Sequence, residues 1–164
     1  MAQIVVNIAQ QRLLLKTGAA EHEFAISSAL NGLGELEGSE CTPRGQHRVA
    51  AKIGGGLPLA GVLVGRQPTG EIWSAEAHAN MPQRDWILTR VLWLEGCEPG
   101  FNRGRNATGQ LVDSMRRYIY IHGTPDSEPM GQAKSHGCIR MRNTDIVALY
   151  NLVTPGTPVL IKES

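Results

Sequence analysis

Residues 118–141 read YIYIHGTPDSEPMGQAKSHGCIRM, and the interpretation of the whole chain starts from this stretch. Its first four residues alternate strictly between tyrosine and isoleucine, which predicts a β-strand. The predicted strand delivers His122 at its end. The stretch closes with Ser135-His136-Gly137-Cys138-Ile139-Arg140-Met141, so two histidines and a cysteine lie close together, each beside a glycine.

This combination of residue types suits nucleophilic catalysis by a cysteine. The thiolate is the reactive form, and a free cysteine with a pKa of about 8.5 holds little of it at neutral pH. A histidine within hydrogen-bond reach can accept the thiol proton, and a third group must then orient the imidazole ring. Cys138 is therefore a candidate nucleophile.

The residues around Cys138 suit the rest of an acyl-transfer site. Gly137 allows the backbone to approach a substrate closely, and the N–H groups of Gly137 and Cys138 are natural donors to an oxyanion. Arg140 lies two residues beyond Cys138, so in an extended segment both side chains share one face. There the Arg140 guanidinium could hold a carboxylate through two hydrogen bonds.

The pattern from His122 to Met141 resembles the signature of the L,D-transpeptidase catalytic domains, the YkuD-like family. Upstream, Thr42-Pro43-Arg44-Gly45 resembles the Thr-Pro-x-Gly turn of that family, and the likeness extends over roughly residues 4–161. The resemblance implies a mostly β fold, a β-sandwich of two mixed sheets with one or a few short helices. It also implies action on peptidoglycan stem peptides or muropeptides, with no cofactor and no metal.

The resemblance assigns a role to each matching residue. It implies that Cys138 is the nucleophile, that His122 is the general base, and that the backbone carbonyl of Gly123 orients His122. The remaining implied site residues are those of an oxyanion pocket, His136, Gly137 and Cys138, with Ser135 supporting the loop and Arg140 facing the substrate.

The implied reaction is a two-step acyl transfer at the bond between the L-centre of diaminopimelate and a terminal D-Ala. A thioester forms on Cys138 with release of D-Ala, and an acceptor then resolves it. If water is the acceptor, the protein is an L,D-carboxypeptidase that trims tetrapeptides to tripeptides. If an amine attacks, it is a transpeptidase that forms cross-links or exchanges D-amino acids. The same thiol should be acylated by carbapenem β-lactams.

The N-terminus favours water as the acceptor. Residues 1–9 lack a basic segment and a sustained apolar segment, so they fail the test for a secretory signal. We therefore expect a cytoplasmic protein that acts on recycled muropeptides or cytosolic precursors. A periplasmic location is the alternative if a leader has been removed.

Length and composition limit the other classes of function. The 164 residues suit one domain spanning 1–164. A net charge of +1 lacks the basic excess of a nucleic-acid binder. No apolar run approaches the roughly 18 residues of a spanning helix, so we expect no membrane partner. Oligomeric state cannot be read from the pattern.

Alternating apolar residues and Gly/Pro turns predict several strands besides 118–121. The predicted strands lie near residues 4–8, 13–15, 24–27, 49–53, 62–64, 71–74, 86–94 and 159–161. The period of Ile146, Leu149, Tyr150 and Val153 predicts one helix, which Asn143 or Thr144 could cap. The Gly-rich segment 98–109 is long enough to be functional or mobile.

Two rival interpretations remain open on the residues alone. One is a zinc site formed by His122, His136 and Cys138, with Cys41, Cys97 or His47 as a fourth ligand. The other is a non-catalytic domain that binds stem peptides.

Other conspicuous residues have simpler explanations. Cys41 and Cys97 are expected to be structural or surface thiols, and the three tryptophans to form core or pocket wall. His22, His47 and His78 have no partner motif and are expected at the surface.

Overall fold

The computed structural model describes all 164 residues, which form ten strands and two short helices. The strands are β1 (Ala2–Asn7), β2 (Arg12–Thr17), β3 (Ala20–Ala25), β4 (Gly45–Ile53), β5 (Gly61–Val64), β6 (Gln67–Ile72), β7 (Ile87–Gly96), β8 (Tyr120–Gly123), β9 (Ile139–Met141) and β10 (Pro158–Lys162). The helices are α1 (Ala75–Asn80) and α2 (Asn143–Leu152). The expectation of a mostly β fold with a few short helices is confirmed.

The strands form one curled, mixed sheet. Its main path runs β3-β2-β1-β10-β4-β7-β5-β6, and β8 pairs with both β7 and β9. The β1–β10 and β8–β9 pairs are parallel, and the other pairs are antiparallel. Strand β7 is the centre of this arrangement, because it pairs with β4, β5 and β8.

The main core lies between the curled strands and α2. It consists of Ile4, Val6, Leu13, Leu15, Ile26, Val49, Leu92, Leu94, Ile119, Ile121, Ile139, Met141, Ile146, Leu149, Val153, Val159 and Ile161, all nearly or fully buried. Because side chains alternate across a strand, the inward positions of β1 and β2 are every second residue, as the sequence predicts. The long strand predicted at 86–94 is β7, and the predicted helix is α2.

The same alternation places polar groups on the other face of β8 and β9. Ile121 pairs with Ile139 in parallel register, and both side chains belong to the core. His122 lies beside Arg140 in the same register, and Cys138 immediately precedes β9. The reactive side chains of the motif are therefore directed away from the core by the period of the strands.

A bulge in β7 supports the end of β8. The register between β7 and β8 shifts between Leu88 and Val91, and Thr89 within this bulge has a positive φ of 73°. A β-branched residue adopts that conformation only where its surroundings enforce it. The Thr89 hydroxyl donates to Oδ1 of Asn143 (2.6 Å), which ties the bulge to the start of α2.

The first turn of α2 differs from the prediction. The N-cap residue is Arg142, without a side-chain capping bond, and Asn143 is the first helical residue. Asn143 does not cap the helix because its side chain bonds Thr89 and also donates to Asp126 (3.1 Å).

Two other local predictions need correction. The strand predicted at 71–74 is β6, which ends at Ile72, and Ser74 instead caps the unpredicted helix α1 through a bond from the Ala77 N–H. His47 is 1% exposed rather than at the surface, because Gly45 O and the buried Ser114 hydroxyl bond its ring nitrogens.

We predict that Ile121→Ala lowers the free energy of unfolding by about 2–5 kcal/mol, the usual cost of a cavity at a fully buried position. Leu59→Ala is the control: Leu59 is 52% exposed, and we expect a change within about 0.5 kcal/mol. Urea unfolding followed by circular dichroism measures both. Equal effects at the two positions would contradict the burial of Ile121.

Candidate active site

The motif residues meet in a cavity of about 540 Å³. Of the residues predicted from the sequence, those that line it are His122, Ser135, His136, Cys138 and Arg140. The other polar residues in its wall, which the sequence motif did not indicate, are Arg66, Asp85, Arg117, Tyr118 and Tyr120. Gly123 and Gly137 are not among the lining residues, and their backbones make hydrogen bonds within this cluster.

His122 is 1% exposed, and a hydrogen bond at Nδ1 orients its ring. Its Nδ1–H donates to the carbonyl of Gly123 at 2.6 Å, so Nε2 carries the lone pair. Burial lowers the pKa of His122 and outweighs the negative charge of Asp85 and the Gly123 carbonyl, which raise it. The imidazole is therefore neutral at pH 7 and able to accept a proton.

Gly123 cannot carry a side chain in this structure. A Cβ atom there would lie 2.5 Å from the carbonyl oxygen of Leu88 and 2.6 Å from Oδ1 of Asn143. Both atoms belong to the bulge and helix start that support β8. The glycine therefore permits the close packing that holds the carbonyl against His122.

The Cys138 thiol makes two hydrogen bonds to the backbone near the start of β8. Sγ donates to the carbonyl of Tyr118 and accepts from the N–H of Tyr120, both at 3.3 Å. Burial raises the pKa of Cys138 to about 12, although the Tyr120 N–H and the charges of Arg140 and Arg117 lower it. In this state the thiol is protonated and has no direct hydrogen bond to His122.

The loop before Cys138 is fixed to two other segments. Ser135 donates from its hydroxyl to the carbonyl of Cys138 (2.5 Å), and its backbone pairs with Ser28 and Leu30. The buried hydroxyl of Thr42 donates to the carbonyl of Gly137 (2.9 Å). This bond gives the Thr42-Pro43-Arg44-Gly45 turn a direct function in holding the loop.

The loop leaves two backbone donors free. The N–H of Gly137 donates to the Ser135 hydroxyl (3.2 Å), so it is occupied in this structure. The N–H groups of His136 and Cys138 have no protein acceptor. Gly137 has a φ of 130°, a conformation that glycine adopts without strain, and a Cβ there would lie 3.3 Å from the carbonyl oxygen of Cys41.

The β5–β6 turn contributes a cation to the cavity wall. Gly65 and Arg66 form a two-residue turn with positive φ at both positions, the geometry favoured in tight hairpins. The Arg66 guanidinium lies over the Trp93 ring, 4.5 Å from its centroid, and donates to the Tyr120 hydroxyl (3.0 Å). In the sequence, the Gly65-Arg66 turn was the only local feature that could have indicated a special position for Arg66.

Arg117 and Arg140 supply two further guanidinium groups. Arg117 is anchored by a bond from Nη2 to the carbonyl of Cys41 (2.8 Å). The Arg140 side chain is only 11% exposed and makes no hydrogen bond to the protein. Asp85 and Glu128 are its nearest acidic groups, at 3.7 Å and 4.0 Å.

The fourth ligands considered for a zinc site do not join this cluster. No group of three or more His, Cys, Asp or Glu residues has a geometry that could hold a metal ion. Cys97 is exposed, and His47 is bonded elsewhere. Cys41 is a partly buried free thiol whose Sγ contacts nearby backbone carbonyls.

Residues 99–109 lie away from the Cys138 cavity and line none of its walls. Asn102, fully buried, donates to the carbonyls of Arg44 and Gln46 and accepts from the N–H of Glu98. This segment is thus fastened to the start of β4.

The chain is similar to known proteins in sequence and in fold. The family model of the L,D-transpeptidase catalytic domain, YkuD, matches residues 2–161. Among curated proteins of Bacillus subtilis (strain 168), YkuD is 39% identical over 64 residues, 37% of this chain and 39% of the relative. YqjB is 46% identical over 71 residues, 43% of this chain and 40% of the relative. The matched segments thus cover about two fifths of each relative.

Solved structures show the same fold. L,D-transpeptidase 3 from Mycobacterium tuberculosis superposes with a TM-score of 0.58 and 17% identity, covering 99% of this chain and 61% of that one. Bd1075 from Bdellovibrio bacteriovorus has a TM-score of 0.56 and 17% identity, covering 99% of this chain and 48% of that one. In the present structure, neither helix is long and apolar enough to cross a membrane.

We predict that iodoacetamide alkylates Cys138 more slowly than the exposed Cys97 at about pH 7, and that the Cys138 rate keeps rising at alkaline pH. The reason is the raised pKa of the partly buried Cys138 thiol, which leaves little thiolate until the pH nears that value. Peptide mass spectrometry of time points resolves the two cysteines. Faster alkylation of Cys138 at neutral pH would show that its thiolate is already formed.

Proposed function

The chain belongs to the L,D-transpeptidase catalytic-domain family, and we propose that it is a cysteine L,D-carboxypeptidase that releases D-Ala from peptidoglycan tetrapeptide stems. The bond cleaved joins the L-centre of diaminopimelate to D-Ala. The observation that carries the proposal is one cavity that contains the Cys138 thiol, the His122 imidazole and three guanidinium groups.

The first step begins with a proton transfer inside the cavity. In the resting state the Cys138 thiol donates a hydrogen bond to the Tyr118 carbonyl. The thiol gives up this bond and transfers its proton to Nε2 of His122. The pKa shifts support this order, because the thiol is protonated and the imidazole neutral before substrate binds. The Gly123 carbonyl stabilises the imidazolium that results, through the hydrogen bond it already accepts from Nδ1–H.

The thiolate then attacks the carbonyl carbon of the scissile bond. The N–H groups of His136 and Cys138, which have no acceptor in the protein, would receive the developing oxyanion, as a pair of backbone donors does in other acyl-transfer sites. Protonated His122 returns its proton to the amine of D-Ala, which leaves. Water then attacks the thioester carbonyl while His122 takes its proton. The bond to Sγ breaks, the tripeptide leaves with a new carboxylate, and His122 returns the proton to the Cys138 sulfur.

The charge of the cavity supports a short peptide with free carboxylates as the substrate. Arg66, Arg117 and Arg140 line it, against one carboxylate, that of Asp85. A tetrapeptide ending in D-Ala has a terminal carboxylate that such a site attracts. An acceptor arriving with an ammonium group meets repulsion from the same guanidinium groups.

Transpeptidation is the second candidate, and a different feature favours it. A cleft of about 230 Å³ also reaches Cys138, and the charged residues in its wall are Glu37, Glu40, Arg116 and Arg117. Two carboxylates could steer the amine of a second stem, or of a free D-amino acid, towards the thioester.

We further propose a cytoplasmic location with recycled muropeptides or precursors as the natural substrates. The free thiol state of Cys41, Cys97 and Cys138 suits a reducing compartment. Cell fractionation tests the location, and recovery of the protein in the periplasm would overturn it.

We predict that the protein converts tetrapeptide stem to tripeptide and free D-Ala, and that added glycine or D-Met does not change the products. Mass spectrometry identifies the products formed with and without the added amino acid. We expect Cys138→Ala to abolish turnover. Exchanged or cross-linked products would establish the transpeptidase instead. Binding of the stem by both forms, without turnover by either, would replace the catalytic proposal with a binding domain.

We predict that a carbapenem acylates Cys138, because the strained lactam carbonyl presents the thiolate with an electrophile at the position of the scissile carbonyl. Intact-protein mass spectrometry should show one adduct per chain. Cys97→Ala, which removes an exposed thiol outside the cavity, should keep the adduct. An adduct that persists in Cys138→Ala would assign the reaction to another nucleophile.

A further inference from the structure

Arg140 is a nearly buried cation whose donors are unused. Its side chain is 11% exposed, yet the guanidinium makes no hydrogen bond to any protein atom. None of its nitrogens is among the fully buried polar atoms without a partner, which are Trp86 Nε1 and Arg90 Nε, so the Arg140 donors keep accessible surface. The Arg140 group faces the cavity that contains Cys138, so these donors are open to a ligand.

Two carboxylates form ion pairs with this guanidinium at distances too long for a hydrogen bond. Asp85 Oδ1 is 3.7 Å from Nη2, and Glu128 Oε2 is 4.0 Å from Nη1, both beyond hydrogen-bond length. Their side chains are 46% and 31% exposed, so each keeps free oxygens towards solvent. Positive and negative groups are therefore both available to a ligand within a few ångströms.

These three residues border a second, smaller cavity. It has a volume of about 210 Å³ and shares Asp85, His136 and Arg140 with the Cys138 cavity. The shared wall makes it an extension of the site, large enough for the end of an amino-acid side chain.

We propose that Asp85, Glu128 and Arg140 form a subsite for a zwitterionic amino-acid end, with the carboxylate on Arg140 and the ammonium between Asp85 and Glu128. A ligand with only one of these groups would leave part of the subsite unpaired. The inference rests on the proposed function for the identity of the ligand, which is then the distal end of diaminopimelate in the third position of the stem.

The spacing along the strand agrees with this ligand. Arg140 lies two residues beyond Cys138 on the same face, a distance of about 7 Å along an extended strand. In diaminopimelate, three methylene groups separate the L-centre, whose carbonyl carbon the thiol attacks, from the distal centre that bears the free ammonium and carboxylate. An extended side chain of this length could reach Arg140 when the carbonyl carbon lies at Cys138.

The experiment compares three stems that differ only at the distal end of the third residue. One has meso-diaminopimelate, one has its distal carboxylate amidated, and one has its distal amine acetylated. For the wild-type chain we expect kcat/KM for D-Ala release to fall about tenfold to a hundredfold with either modification, the usual effect of losing a charged hydrogen bond.

Variants assign each charge to its residue. In Asp85→Asn with Glu128→Gln, we expect kcat/KM for the unmodified stem to fall to the level of the acetylated stem, whose own value changes little. In Arg140→Gln, the loss should be larger for the stems with a free distal carboxylate than for the amidated stem. Glu23→Gln, on the exposed strand β3, is the matched charge control and should keep the wild-type preference.

An equal loss on all three stems in the double variant would overturn the proposal, since Asp85 would then act on His122 rather than on the substrate. The absence of D-Ala release from every stem would instead contradict the proposed function. In that case calorimetry of the three stems with Cys138→Ala still decides the subsite: tighter binding of the unmodified stem supports it, and equal binding overturns it.

Discussion

The parallel pairing of β8 with β9 is the constraint on which the site depends. It places His122 beside Arg140 and brings Cys138 to the Tyr118–Tyr120 backbone at the start of β8. Parallel neighbours require a long connection, and here residues 124–138 return the chain to the start of β9 without a helix of their own. The candidate nucleophile is the last residue of that connection, so the register of three residue pairs determines where the thiol meets the cavity.

The rest of the fold supports this pair from both sides. On the core side, Ile121 and Ile139 bury the opposite face of the two strands. On the outer side, Thr42 and Ser135 hold the loop that ends at Cys138, and the bulge at Thr89 supports Gly123. Each support uses backbone carbonyls or small side chains, because nothing larger fits between the segments. Function and packing therefore constrain the same short stretches of chain.

The resting site is electrically neutral at its reactive centre and charged around it. Burial favours the thiol of Cys138 and the neutral imidazole of His122, while three guanidinium groups line the cavity around them. The charges of Arg140 and Arg117 favour the thiolate of Cys138, while the charge of Arg140 disfavours the imidazolium of His122. Substrate recognition and nucleophile activation are then linked through one electrostatic field.

The sequence alone determined most of the strands, the helix α2 and the local cluster from His122 to Arg140, because these depend on residue alternation and on neighbours in the chain. Helix α1 and the bonding of Asn143 were missed, since α1 has no buried face and Asn143 bonds a residue 54 positions away. His47 was misplaced for the same reason, as its partner Ser114 is distant in sequence. Only the tertiary structure brought Arg66, Asp85, Arg117 and Glu128 to the site. Their side chains arrive from separate turns and loops, and no local pattern encodes a contact made across the fold.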